Sequence, residues 1–181
     1  EDIIEYCRAN DITGIIPTRD GELPFFAKHK DMLASHGVSV MVSNSAAVNI
    51  CLDKLLFYQK LAEKGFPIIP TTEDINRVQA DSLVVKERFG AGSRSIGLNL
   101  TKEEASIHFR KLESPIFQPY IYGSEVSVDL YIDKSGRTKG VIVRRRDKVI
   151  KGESQVTSTL RDERLEKLCA EIAESLNLYG H

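Results

Sequence analysis

The sequence of 181 residues has no tryptophan, only two methionines and few aromatic side chains. Its cysteines, Cys7, Cys51 and Cys169, are odd in number, far apart and outside any Cys-x-x-Cys arrangement, which argues against a disulfide framework and a zinc site. No apolar run reaches the roughly 18 residues that span a bilayer. The net charge of -1 gives no general reason to expect a polyanionic partner. We therefore expect a cytoplasmic protein that binds neither nucleic acid nor membranes.

Apolar periodicity predicts an α/β protein in which strands and helices alternate over the first 64 residues. The predicted helices cover 2–9, 23–36, 49–64, 101–111 and 161–178, and the predicted strands cover 13–17, 38–42, 82–87, 95–100, 126–132, 140–146 and 149–156. Pro67 and Pro70 interrupt the pattern and indicate a linker into a second unit. Thr101 and Glu104 have the spacing of a capping box at the start of the fourth helix.

Residues 83–97, LVVKERFGAGSRSIG, run from an apolar strand into a loop rich in glycine and serine. Gly90 and Gly92 lack a Cβ, so the backbone N–H groups around them can approach an anion closely. The serines add hydroxyl donors, and Lys86 adds a positive charge. This combination is typical of phosphate binding, but the loop taken alone favours a plain hairpin turn. The choice between the two depends on the rest of the chain.

Four features follow one another along the chain. They are Asp53-Lys54 on a helix, Lys86 before the loop, FQPYIYGSE at 117–125, and a downstream series of arginines and lysines. This order resembles the ATP-grasp superfamily, and within it the proteins similar to the large subunit of carbamoyl-phosphate synthetase. The resemblance implies an α+β ATP-grasp fold. It divides the chain into part of a Rossmann-like preceding domain at 1–50, an N-terminal ATP-grasp subdomain at 51–115 and an incomplete C-terminal subdomain at 116–181.

The resemblance also implies which residues bind ATP. Lys54 and Lys86 would contact the phosphates, and the loop at 89–97 would close over them. The Pro119 carbonyl would accept a hydrogen bond from the adenine amino group, the Ile121 N–H would donate to a ring nitrogen, and Glu125 would accept from the ribose hydroxyls. The whole implied set is Lys54, Lys86, Gly90, Ala91, Gly92, Ser93, Ser95, Gln118, Pro119, Tyr120, Ile121 and Glu125. Two positions depart from the commoner family pattern, since Glu87 replaces a proline and Gln118 replaces a glutamate.

Three consecutive arginines lie in the strand predicted over 140–146. Strand alternation sends Arg144 and Arg146 to one face and Arg145 to the other, so the run is not one basic surface. By resemblance, Arg144, Arg146 and Lys151 are the catalytic candidates, in contact with substrate or phosphate.

The resemblance implies a ligase that uses ATP and Mg²⁺ to convert a small carboxylate into an acylphosphate, which an amine or similar acceptor then attacks. It is also compatible with a homodimer. Family members carry their magnesium ligands in a Glu-x-Asn stretch after a helix like that over 161–178, and the sequence has no such stretch. We therefore expect the metal ligands beyond residue 181, and a fragment that is inactive by itself. A nucleotide-sensing or structural module without catalysis, and an α/β protein whose loop binds nothing, remain alternatives.

Overall fold

The structure is a computed structural model that describes residues 2–90, 92, 95–150 and 153–181. In these residues the chain forms six α-helices: α1 Asp2–Ala9, α2 Leu23–Ser35, α3 Ser45–Leu52, α4 Lys54–Glu63, α5 Lys102–His108 and α6 Glu163–Ser175. It also forms eight strands: β1 Gly14–Ile15, β2 Ser39–Val40, β3 Leu83–Glu87, β4 Gly97–Leu100, β5 Pro115–Pro119, β6 Val126–Ile132, β7 Thr138–Ile150 and β8 Glu153–Leu160. No described helix is both long enough and apolar enough to cross a membrane. The predicted α/β character is confirmed.

The chain divides into two compact units. The first contains Glu1–Asn49, Val128–Val143 and Leu160–His181, and the second contains Ile50–Ser127 and Arg144–Thr159. Every residue that the sequence predicts to bind ATP or substrate falls within the ranges of the second unit. By sequence range, β6, β7 and β8 each contribute residues to both units.

In the first unit, β1 and β2 are parallel and pair Gly14 with Ser39 and Ile15 with Val40. Parallel neighbours require a crossover, which α2 supplies, as the alternation of strand and helix in the sequence predicts. Leu33 of α2 is 2% exposed and belongs to the core of this layer. Gly37 follows the helix at φ +82°, a left-handed conformation that favours glycine after a helix.

In the second unit, β3 lies between β4 and β5 and is antiparallel to both. Leu83 and Val85 of β3 are fully buried, and they form a core cluster with Val78, Ala105 of α5 and Phe117 of β5. The predicted hairpin of β3 and β4 is confirmed. The predicted capping box is also confirmed, because the Thr101 hydroxyl accepts a hydrogen bond from the Glu104 N–H and the Glu104 carboxylate accepts one from the Thr101 N–H. One face of this sheet is therefore closed by α5.

The single helix predicted over 49–64 is wrong, because α3 ends at Leu52 and α4 begins at Lys54. Asp53 between them is extended, with φ -105° and ψ 102°. Its carboxylate accepts hydrogen bonds from the N–H groups of Leu55 and Leu56, at 3.0 and 3.1 Å, as an N-cap does. The predicted strands over 140–146 and 149–156 are also longer and shifted, since β7 spans Thr138–Ile150 and β8 spans Glu153–Leu160.

Candidate functional site

Lys86 lies near the end of β3, on the sheet face opposite the core cluster. Leu83 and Val85 point into that cluster, so Val84 and Lys86 point the other way, together with Gln118, which pairs with Val84. Lys86 is half-buried and has no hydrogen-bond or ion-pair partner in the part of the chain that the structure describes. Burial lowers the pKa of its ammonium, and the positive charge of Lys54 lowers it further. Lys86 is therefore a partly desolvated cation that has no carboxylate partner among the described residues.

Lys54 is the first residue of α4 and lies where β3 runs into the glycine-rich loop. Its Nζ donates hydrogen bonds to the Gly90 carbonyl at 2.8 Å and the Arg88 carbonyl at 3.3 Å. Its backbone N–H also donates to the Arg88 carbonyl, at 3.2 Å. The structure therefore brings together the two lysines that the sequence predicts to contact phosphate, both of them beside the start of the loop.

Arg88 connects the chain after β3 with the start of α4, and no sequence pattern identified it as a site residue. Its guanidinium makes a two-pronged contact with the Asp53 carboxylate, with Nε at 2.8 Å and Nη2 at 2.6 Å, and its Nη1 donates to Glu73 at 2.9 Å. The hydrogen bond from Arg88 lowers the pKa of Asp53, which is 7% exposed, and the same bond raises the pKa of Arg88. The pair ties the start of α4, and hence Lys54, to the chain after β3. The Asp53 spacing fits a cap, but nothing local in the sequence points to a partner 35 residues away.

Residues 90, 92 and 95 of the glycine-rich loop have left-handed backbone conformations. Gly90 has φ +91° and Gly92 has φ +77°, both in the left-handed region that glycine enters without strain, and Ser95 has φ +55°. These positions are exposed. Ala91 and Ser93, two further predicted site residues, lie outside the described residues.

The segment that leaves β5 contains the backbone groups that the resemblance assigns to adenine. The Tyr120 N–H donates to the Ser82 carbonyl at 2.8 Å. Hydrogen-bonded and non-hydrogen-bonded pairs alternate in antiparallel strands, so the adjacent pair of Pro119 and Leu83 is not hydrogen-bonded. The Pro119 carbonyl therefore points away from β3, where the missing N–H of proline costs no ladder bond. The Ile121 N–H has no acceptor among the described residues. The Gln118 side chain is already engaged, because it donates to Thr71 Oγ1 at 2.7 Å.

Glu125 and Arg146, which the resemblance assigns to ribose and to substrate or phosphate, form an ion pair through Arg146 Nη1. The Arg146 side chain is 17% exposed, whereas that of Arg145 is 61% exposed and contacts Asp147. Arg144 is half-buried like Arg146, so the predicted alternation of the three arginines is confirmed. Lys151 lies outside the described residues.

A cleft of about 810 Å³ lies on the second unit, between α4 and the 70–79 segment. Of the predicted site residues only Pro119 lines it, with Thr71, Arg77 and other residues of this segment. Within the described ranges, no three His, Cys, Asp or Glu side chains lie close enough to hold a metal ion.

Solved structures of two carboxylases and one ligase share the fold of this chain. Biotin carboxylase from Campylobacter jejuni superposes with a TM-score of 0.76 at 16% identity, covering 98% of this chain and 46% of its own. The biotin carboxylase domain of 2-oxoglutarate carboxylase from Hydrogenobacter thermophilus gives a TM-score of 0.74, also at 16% identity, covering 98% of this chain and 45% of its own. D-alanine–D-alanine ligase from Bacillus anthracis gives 0.63 at 20% identity, covering 99% of this chain and 65% of its own. The chain thus spans about half the length of the carboxylases that it resembles.

The two sequence comparisons gave different results, since a family model matches the chain and no curated sequence does. No curated protein sequence matches the chain significantly. The family model for the ATP-grasp domain matches residues 51–181, which is well over half of the chain. On this match, and with the fold shared with the solved structures, the protein belongs to the ATP-grasp family.

Proposed function

We propose that the chain is the ATP-binding part of a carbamoyl-phosphate-synthetase-like ligase that joins a small carboxylate to an amine or similar acceptor. The observation that carries the proposal is Lys86, a half-buried cation with no partner among the described residues and with a second lysine close enough to lower its pKa. Two neighbouring cations on a partly dry surface repel each other and lose hydration, so the arrangement is unfavourable until an anion joins it. A polyphosphate supplies that charge.

In this proposal, each part of the second unit contacts a different part of ATP. Lys54 and Lys86 neutralise the phosphates, and N–H groups around Gly90, Gly92 and the rest of the loop donate to them. The Pro119 carbonyl and the Ile121 N–H face the adenine edge, and Glu125 accepts from the ribose hydroxyls. The remaining implied residues, including Ala91 and Ser93, belong to the proposal on the sequence resemblance alone.

The proposed reaction needs no protein nucleophile. An oxygen of the substrate carboxylate attacks the γ-phosphorus of ATP, the bond to the bridging oxygen breaks, and ADP leaves with the electron pair. The amine nitrogen then attacks the carbonyl carbon of the acylphosphate, loses a proton and expels inorganic phosphate. Arg144, Arg146 and Lys151 hold the carboxylate, and the protein contributes positioning and charge neutralisation. The described residues offer no metal-binding set, so the proposal assigns no Mg²⁺ ligand among them.

Calorimetry with ATP tests the proposal through Lys86. We expect Lys86→Ala to weaken ATP binding by about tenfold or more, because it removes a charged hydrogen-bond donor to phosphate. Lys111→Ala is the matched control, since Lys111 is an exposed lysine of the same unit outside the predicted site, and it should bind ATP like the unmodified protein. Equal ATP affinity in all three proteins would refute the proposal. Binding without ADP production on adding carboxylates and amines is also expected, because the chain is expected to be inactive by itself, and brisk ligation by this chain alone would contradict that expectation.

The domain division and the assembly belong to the same proposal. We place the subdomain boundaries at residues 50 and 115. A homodimer is supported by the biotin carboxylase domain of the Hydrogenobacter enzyme, which is described as a dimer in complex with ADP, its magnesium salt and bicarbonate.

A further inference from the structure

His108, the last residue of α5, contacts the far end of the glycine-rich loop. Its Nε2 lies 2.8 Å from the Ser95 carbonyl. A carbonyl oxygen can only accept, so Nε2 carries the proton and donates. His108 is half-buried, and both residues belong to the second unit. His108 is not among the residues that the sequence predicts to bind ATP or substrate, and it takes no part in the nucleotide contacts proposed above.

The backbone around this contact is shaped to admit the imidazole ring. Ser95 takes a left-handed φ of +55°, which is unusual for a residue other than glycine. Two residues later, a Cβ on Gly97 would lie 3.1 Å from His108 Cδ2 and 2.5 Å from Leu100 Cδ1. Gly97 is buried and pairs with Val85 in the sheet. Glycine at 97 therefore lets the ring lie against the backbone and reach the Ser95 carbonyl.

The two ends of the loop are thus bound by side chains from two different helices. Lys54 of α4 donates to the Gly90 carbonyl at one end, and His108 of α5 donates to the Ser95 carbonyl at the other. A carbonyl that accepts from a helix-borne donor is turned toward that helix, and this sets the orientation of the adjoining peptide units. The orientations of the peptide units that carry the Gly90 and Ser95 carbonyls therefore depend on these two contacts.

We infer that His108 is a positioning residue for the phosphate-binding loop and acts through its Nε2–H bond to Ser95. The inference rests on the proposed function, because it assumes that the loop binds the β- and γ-phosphates of ATP. His108 itself contacts neither phosphate nor adenine. Its loss should therefore weaken binding of ATP and leave binding of AMP, which lacks those phosphates, nearly unchanged.

The test uses three variants that differ in where a donor stands. His108→Gln places an amide N–H near the position of Nε2, His108→Asn places one near the position of Nδ1, and His108→Leu has none. Calorimetry of the full chain with ATP and with AMP gives the selectivity, and hydrogen exchange reports the opening of the loop backbone. We expect His108→Leu and His108→Asn to lose about three- to tenfold in ATP affinity, the effect of one hydrogen bond, and to exchange faster at the loop. His108→Gln should recover most of both.

The possible results distinguish failure of the inference from failure of the proposed function. If the unmodified protein binds ATP no better than AMP, the proposed function fails and the inference fails with it. If the protein prefers ATP but all three variants match it in selectivity and loop exchange, the inference alone fails. Equal weakening of ATP and AMP would also overturn it, since that pattern indicates a general loss of structure. Circular dichroism of the asparagine and glutamine variants, which differ by one methylene, checks that both are folded.

Discussion

Replacing Asp53 with alanine removes two interactions at the start of α4. The carboxylate caps the helix through the N–H groups of Leu55 and Leu56, and it accepts two hydrogen bonds from Arg88. Loss of the cap costs about 1 kcal/mol. Loss of the charged hydrogen bonds costs about 1.5–3 kcal/mol, moderated because Arg88 is 27% exposed and keeps Glu73. We expect Asp53→Ala to lower the free energy of unfolding by about 2–4 kcal/mol.

Two other variants separate the cap from the ion pair. Asp53→Asn keeps a good capping side chain but loses the negative charge, and should cost about 1–2 kcal/mol. Asp74→Ala is the matched control, because Asp74 also caps an N-terminus, that of the 3-10 turn Ile75–Arg77. Its ion pair with Arg77 is exposed and 3.7 Å long and contributes little, so the loss should be about 1 kcal/mol, that of the cap.

The chain has no tryptophan, so thermal unfolding is best followed by circular dichroism at a helix band. For a protein of this size, about 3 kcal/mol corresponds to a fall in Tm of about 6–12 °C. The difference in Tm between the unmodified protein and Asp53→Asn should be largest at neutral pH. Because the pKa of Asp53 is lowered in the folded state, the gap should shrink as the pH falls below about 4 and the carboxylate protonates. A Tm for Asp53→Ala within about 2 °C of that for Asp74→Ala would refute the reasoning.

Two further substitutions test the site more narrowly. Lys86→Met should weaken ATP binding by about tenfold or more, as Lys86→Ala does, yet stabilise the ligand-free protein at neutral pH by up to about 1 kcal/mol, because it removes an unpaired half-buried charge. The lowered pKa of Lys86 means that this gain should decline as the pH rises toward about 10, and a Lys86→Met protein that melts below the unmodified one at pH 7 would contradict the argument. Gly97→Ala should cost about 1–2 kcal/mol, because the new Cβ meets Leu100 and the His108 ring. Gly140→Ala, where a Cβ meets nothing within 4 Å, should change the Tm little, and similar losses in the two alanine variants would contradict the close packing at 97.

Features that depend on near neighbours in sequence were predictable. The capping box of Thr101 and Glu104 spans three residues, and the alternation of Arg144, Arg145 and Arg146 follows from strand geometry alone. The break at Asp53 was not, because apolar residues on both sides continue a helical pattern and the partner that holds Asp53 is Arg88, 35 residues later. The contact of His108 with Ser95 likewise exists only once α5 has packed on the sheet. A sequence pattern can therefore identify Lys54 and Lys86 as candidates, but not the side chains that orient them and the loop.

The order in which the ribosome synthesises the chain determines when each of the two units can form. The chain passes between them four times, at 49/50, 127/128, 143/144 and 159/160. The second unit therefore lacks Arg146, the partner of Glu125, until residues 144–159 have been made. The first unit likewise lacks Leu160–His181 until those residues have been made. Neither unit can be completed as an independent stretch during translation, and a stop at residue 127 would leave both of them unfinished.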